Sequence, residues 1–169
     1  LVFLLYAEDQ GLTPDTDLFA RNYSLHGLFQ RLRNDNEQFP DTMEDRYGAW
    51  PQFLALFRVV YKGCHHPLIK MPAREGHLFD PDRYPFLEGR PRSGATANPD
   101  SSLSSTVKLP LVPDGVVFRV LEKLLVLDGE RLSYKTLDVE QIGGVYETMM
   151  GFQLQQAAGT TIALKPAKV

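Results

Sequence analysis

The chain has 169 residues, 43% hydrophobic and 23% charged, the size and balance of one globular domain with a real core. A net charge of −3 gives no support to a generally basic nucleic-acid binder, so any DNA contact needs a local patch or a partner domain. Cys64 is the only cysteine, which excludes an internal disulfide and fits a reducing, cytoplasmic setting.

"LVFLL" at the start is too short for a signal-peptide core and lacks a basic lead. No apolar run reaches the roughly 18 to 20 residues of a membrane span, so no membrane partner is expected. The first residue is not methionine and the last segment reads "ALKPAKV", so the chain is expected to be a piece of a larger protein or a processed one.

Helical periodicity dominates from the first residue. "LVFLLYAEDQG" reads as the end of an apolar helix stopped by Gly11. A turn over "LTPDTDL" leads into a second helical region with Leu18, Leu25, Leu28, Phe29 and Leu32 near one face and Ser24 as a cap. Trp50 and Pro51 open a third helix, whose stripe is Trp50, Phe53, Leu54, Phe57 and Tyr61 and whose end is Gly63. A fourth runs from Val116 to Leu125, with Asp114 as its expected cap and Val117, Val120, Leu121 and Leu124 as its stripe. "LDGERLSY" then turns through Asp128 and Gly129.

In the last helix Asp138 is the expected N-cap, with Gln141 three residues on in a variant of the capping box. Ile142, Val145, Tyr146 and Met149 form its stripe, and Gly151 ends it. Only "TTIAL", residues 160–164, is β-branched enough for a short strand. Between Gly89 and Asp114 the rhythm is lost to Gly, Pro, Ser and Thr, and residues 91–110 are expected to form a long disordered loop. The pattern therefore predicts an all-α fold: one irregular helical bundle over residues 1–169, with that loop and at most one short strand near the C-terminus.

A search for chemistry yields little. Cys64 beside His65 and His66 has no orienting partner in sequence. With His77 these residues lack the separated ligand pairs of a zinc site. Pro81, Asp82 and Glu88 imitate a PD…E-x-K nuclease, but Arg90 stands where the lysine belongs. Pro113, Asp114, Glu122 and Lys123 lack the intervening residue. Neither a P-loop nor G-x-G-x-x-G occurs, and "NPD" at 98–100 differs from the "NPPY" type of tetrapeptide. Arg90, Arg92 and Lys108 are candidates for touching a DNA backbone, although Glu88 and Asp100 leave a surplus of one charge.

Three stretches in order carry a resemblance: "FLLYAEDQGLTP" (3–14), "HLFDPDRYPFLEGR" (77–90) and "ERLSYKTLDVEQIGGVYETMMGF" (130–152). Together they resemble the segment just upstream of the catalytic core in large bacterial adenine-specific DNA methyltransferases. That group includes the restriction-modification enzymes of types IIG and IIL and the methyltransferases of the BREX and DISARM phage-defence systems. "LLYAED", "LFDP" and "VYE" follow one another in the same order there.

The resemblance implies a non-catalytic helical spacer that joins an N-terminal region to a methyltransferase domain C-terminal to it. It also implies that the parent protein uses S-adenosylmethionine to methylate adenine N6 in DNA, with other defence-system subunits as further partners. The cofactor and "NPPY"-type motifs would lie downstream, so no catalytic, cofactor or metal residue carries over. Tandem Gly143 and Gly144 cost about 1 kcal/mol each in a helix, and they bare the backbone to a close neighbour. Gly143, Gly144, Tyr146 and Glu147 are thus candidates for docking the methyltransferase domain. Equally, the glycines could let two helices cross within the bundle. The rival to the spacer is a free-standing helical adaptor for another protein. Isolated, the mildly acidic chain is expected to bind DNA weakly or undetectably.

Overall fold

In a computed structural model, five α-helices have their bounds among the described residues: α1 (Val2–Asp9), α2 (Asp17–Asn22), α3 (Leu25–Gln38), α4 (Ala49–Lys62) and α5 (Asp114–Leu125). The structure describes residues 1–90 and 108–138, together with 140, 141, 143, 144 and 147. The expected strand at 160–164 and most of the expected loop at 91–110 lie outside these residues. Two compact units divide the chain, Leu1–Thr136 and Leu137–Val169.

The fold is mostly helical, but it carries more strand than expected. Among the described residues two antiparallel ribbons occur, β1 (Cys64–His66) with β2 (Ile69–Met71) and β3 (Val126–Leu127) with β4 (Glu130–Arg131). The second closes on Asp128 and Gly129, at φ 53° and 83°. Both turn residues at positive φ make the tight hairpin turn for which Asp-Gly is a strong signal. The helical stripe stops at Leu125, and the chain folds back on itself instead of ending in a plain turn.

Each helix end has a local cause. Gly11, at φ 67°, ends α1: its N–H reaches Glu8 O at 3.0 Å and the Leu12 N–H reaches Ala7 O at 2.9 Å. This double bond pattern satisfies carbonyls that the helix leaves open. The expected second helical region is two helices, because Thr16 caps α2 and Ser24 caps α3. Ser24 Oγ accepts from the Gly27 N–H at 3.1 Å. The break turns Phe19 into the core in place of Leu18, which is exposed.

Leu5, Leu25, Leu32, Leu121 and Leu125 are almost fully buried, and Phe29 stacks on Phe118 with centroids 5.8 Å apart. That aromatic contact joins α3 to α5. On α5 the buried face is Val117, Phe118, Leu121 and Leu125, whereas Val120 is 42% exposed. On α4 the deepest residues are Ala49, Phe53, Leu54, Leu56 and Val60. Trp50, Phe57 and Tyr61, expected on the same stripe, are half-buried on a second face.

Residues 91–107 do not separate two cores. A Cβ on Gly89, at φ 72°, would lie 2.1 Å from Lys108 O, so the flanks of that segment meet. Gly89 is therefore needed both for its left-handed backbone and for this approach.

The close helix crossing lies at Gly27, where a Cβ would sit 2.0 Å from the Ala20 carbonyl oxygen, a backbone atom. Gly27→Ala should lower stability by about 1 to 3 kcal/mol through overpacking, despite the roughly 1 kcal/mol gain in helix propensity. Urea unfolding measures this. An unchanged or higher midpoint would mean that α2 and α3 do not touch at this point.

Candidate functional site

α1 ends in two acids, Glu8 and Asp9, where the negative end of the helix dipole disfavours them. Both reach other elements. Glu8 accepts from Ser24 Oγ at 2.9 Å, from the Leu25 N–H at 2.6 Å and from the His26 N–H at 3.2 Å. Its side chain is 6% exposed, so a charge that is costly to bury is compensated by the first turn of α3. Asp9 takes the His26 ring, Nε2 to Oδ1 at 2.9 Å, on one oxygen. Its other oxygen accepts from the Tyr134 N–H at 2.6 Å.

Tyr134 carries the connection on. Its hydroxyl donates to the Leu124 carbonyl at 2.8 Å, near the C-terminal end of α5. Burial, and then the Asp9 charge, push that hydroxyl above the usual tyrosine pKa. It is a buried donor, neutral at ordinary pH. The Gln10 side-chain amide adds a bond to Lys135 O at 2.9 Å. These acids and this phenol are engaged in holding segments together.

A second constellation lies on the outer face of α4. Phe57 packs against Phe79 with centroids 5.5 Å apart, and Trp50 Nε1 donates to Leu87 O at 3.1 Å. Arg58 grips Glu88 with both Nε and Nη2, at 2.6 and 2.5 Å. Arg90 adds a bond from Nε to Glu88 at 3.0 Å, and reaches Asp82 Oδ1 at 2.9 Å and Pro81 O at 2.6 Å. The Arg58 hydrogen bonds, with the charges of Arg58 and Arg90, hold the Glu88 carboxyl below the usual carboxylate range.

The nuclease-like Pro81, Asp82, Glu88 and Arg90 do converge, but guanidinium groups occupy the acids where a cation would have to bind. The adjoining apolar pocket, lined by Leu54, Phe57, Phe79 and Tyr84, measures about 120 Å³. A small-molecule site usually needs about 300 Å³ or more.

The other predicted residues are scattered. Asp114 is the first residue of α5 and does not cap it. Its buried carboxylate instead accepts from the Ala49 N–H at 2.7 Å and caps α4. Cys64, His65 and His66 form strand β1, directly after the helix end at Gly63. No three His, Cys, Asp or Glu side chains among the described residues gather as metal ligands do. Lys108 is exposed, Arg90 is paired as above, and Arg92 lies outside the described residues.

In the second unit, Asp138 Oδ1 accepts from the Gln141 N–H at 2.7 Å, and Gln141 Oε1 accepts from the Asp138 N–H at 3.1 Å. This is the reciprocal capping box. Gly143, Gly144 and Glu147 are helical and exposed, and Tyr146 lies outside the described residues. A Cβ on Gly143 or Gly144 would meet no atom of the described residues within 4 Å.

Sequence reasoning missed Glu8 and Asp9. The available signal was two acids in the last turn of a helix, a local conflict that a tertiary partner resolves. No family model, curated protein or solved structure matches the chain. No helix among the described residues is long and apolar enough to cross a membrane.

Because the Glu88 pKa is depressed in the fold, its contribution is complete above the ordinary value of 4.5 and is lost as pH falls through the folded value. Thermal melts of wild type and Glu88→Gln should therefore differ most near pH 7 and converge below pH 4.5. A gap independent of pH would show that the Arg58 pair contributes no linked stability.

Proposed function

We propose that the chain is a non-catalytic helical connector of a site-specific DNA adenine-N6 methyltransferase, acting in restriction-modification or phage defence. It links an N-terminal region to the S-adenosylmethionine-dependent domain and sets the geometry between them. The observation that carries this reading is that the three stretches behind the resemblance meet on α1. Asp9 of "LLYAED" holds Tyr134 of "ERLSY", and Phe3 packs on Phe79 of "HLFDP" with centroids 5.9 Å apart. Residues far apart in sequence thus share one mechanical task.

The spent state of the reactive groups adds support. Glu8 and Asp114 cap helices, and Glu88 is held by arginines. Gly143 and Gly144 have no steric need to be glycine within the described residues. In the connector they offer backbone to the methyltransferase domain, with Tyr146 and Glu147 beside them.

Two tests decide it. The coding sequence after Val169 should continue into a glycine-bearing cofactor motif and an "NPPY"-like tetrapeptide. A stop codon there, or an unrelated domain, would favour the free-standing adaptor. In the full-length protein, replacing both Gly143 and Gly144 by leucine should lower adenine methylation at least about tenfold, the effect of losing 1.4 kcal/mol of docking energy. The circular dichroism of the 169-residue chain should stay unchanged, since leucine favours helix over glycine. Full methylation by the double variant would refute the joint.

A further inference from the structure

Between Lys62 and His77 the sequence "KGCHHPLIKMPAREGH" holds Lys62, Lys70 and Arg74 and three of the chain's four histidines, against one acid, Glu75. In an otherwise acidic molecule this is a local reversal of sign. The structure places it on and beside the first ribbon, which directly follows the C-terminal end of α4. Register pairs Cys64 with Met71, His65 with Lys70 and His66 with Ile69. Ile69 and Met71 are each 5% exposed, so they anchor one face, while His65 and Lys70 pair on the opposite, exposed face.

Beyond the ribbon the chain returns beside α4. The Arg74 N–H donates to Val60 O at 3.0 Å and the Glu75 N–H to Tyr61 O at 3.2 Å. Gly63, at φ 75°, admits the Ala73 backbone, since a Cβ there would lie 2.6 Å from Ala73 N. Arg74 is thereby held next to the end of α4, where Lys62 stands. Lys62, Lys70 and Arg74 are exposed and, among the described residues, form no ion pair.

His65, His66 and Lys70 line one open concavity of about 470 Å³ with Pro67 and Pro72, and among the described residues no carboxylate lines it. His66 Nδ1 accepts from the Leu68 N–H at 3.2 Å, so in the neutral ring the hydrogen is on Nε2, which is left as a donor. Three donor side chains and no acid around an open hollow suit a phosphate. Cations on a two-stranded ribbon and at both of its chain flanks suit a row of phosphates.

We propose that the β1–β2 ribbon is a phosphate-backbone grip for nucleic acid, with His65 and Lys70 holding one phosphate, His66 at the rim of the same hollow, and Lys62 and Arg74 flanking it. The choice of duplex DNA over RNA rests on the connector reading. The grip itself does not. Contact here is to phosphate and carries no base preference.

The test is fluorescence anisotropy of the intact 169-residue chain with a labelled 25-base-pair DNA duplex of arbitrary sequence, titrated from low to moderate salt. Three phosphate contacts predict a log–log salt slope of about −2.7. Lys70→Gln should flatten it by about 0.9. Combining Lys62→Gln, Lys70→Gln and Arg74→Gln should abolish binding, whereas Arg21→Gln with Lys123→Gln, on α2 and α5, should leave it within twofold. All variants are exposed-site changes, and circular dichroism checks that they fold.

No binding by the folded wild type at low salt overturns the grip, as does undiminished binding by the triple variant. Stronger binding to an RNA hairpin, or to phosphatidylserine vesicles, overturns the assignment to DNA. If the gene ends at Val169 while the ribbon still binds duplex DNA, the connector reading falls and the grip stands.

Discussion

The Glu8 carboxylate sits at the wrong end of its own helix and at the right end of another. It is carried by the last turn of α1, and it receives the N–H groups of Leu25 and His26 and the Ser24 hydroxyl at the start of α3. Neither helix end is well satisfied alone: α1 would place an acid on its negative pole, and α3 would leave first-turn donors open. Bringing the two together removes both faults. Asp114 repeats the device, leaving α5 uncapped by its own side chain and accepting from Ala49 at the start of α4. Both ties link segments distant in sequence, so the helices hold their relative positions by charge-assisted hydrogen bonds as well as by apolar packing.

This arrangement bears on function by assigning the polar groups. Carboxylates, a half-buried imidazole and a buried phenol are the usual materials of acid–base chemistry. Here Glu8, Asp9, His26 and Tyr134 form one chain of contacts from α1 to α3 and α5, and Glu88 is clasped by Arg58 and Arg90. The ribbon at Cys64–Met71 is the opposite case. Lys70 on it, and Lys62 and Arg74 at its flanks, are exposed and in no ion pair among the described residues, on a short element anchored by Ile69 and Met71. A molecule whose net charge is −3 can therefore still present a cationic strip, because the segregation of charge, and not its total, decides a contact with phosphate.

Periodicity read the helices well where local rules were sufficient. Ser24, Gly11, Gly63 and the Asp138–Gln141 capping box act at the ends where their chemistry puts them. The errors share a cause. Val120 and Leu18 are apolar and at helical spacing, yet they face outward because Phe118 and Phe19 take the core positions. Asp114 reads as a cap, and it is one, but for a different helix. A glycine that admits a close helix neighbour is Gly27, a lone glycine beside Leu28 and Phe29, while a Cβ at 143 or 144 would meet no atom of the described residues within 4 Å. Such assignments depend on which segments meet, and spacing along one segment does not encode that. The ribbon was legible as composition, in the run of Lys, Arg and His from 62 to 77, but its paired, outward face required the β1–β2 register.

The most direct measurement of this account is native-state hydrogen exchange on Glu8→Gln, with the exposed Asp15→Asn as a control. A glutamine keeps the volume but replaces one acceptor oxygen with an NH₂ donor facing the start of α3. The Leu25 and His26 amides should lose protection, and global stability should fall by about 1.5 to 3 kcal/mol, the worth of hydrogen bonds to a charged group. Wild-type protection at those two amides, with unchanged stability, would contradict the claim that Glu8 ties α1 to α3.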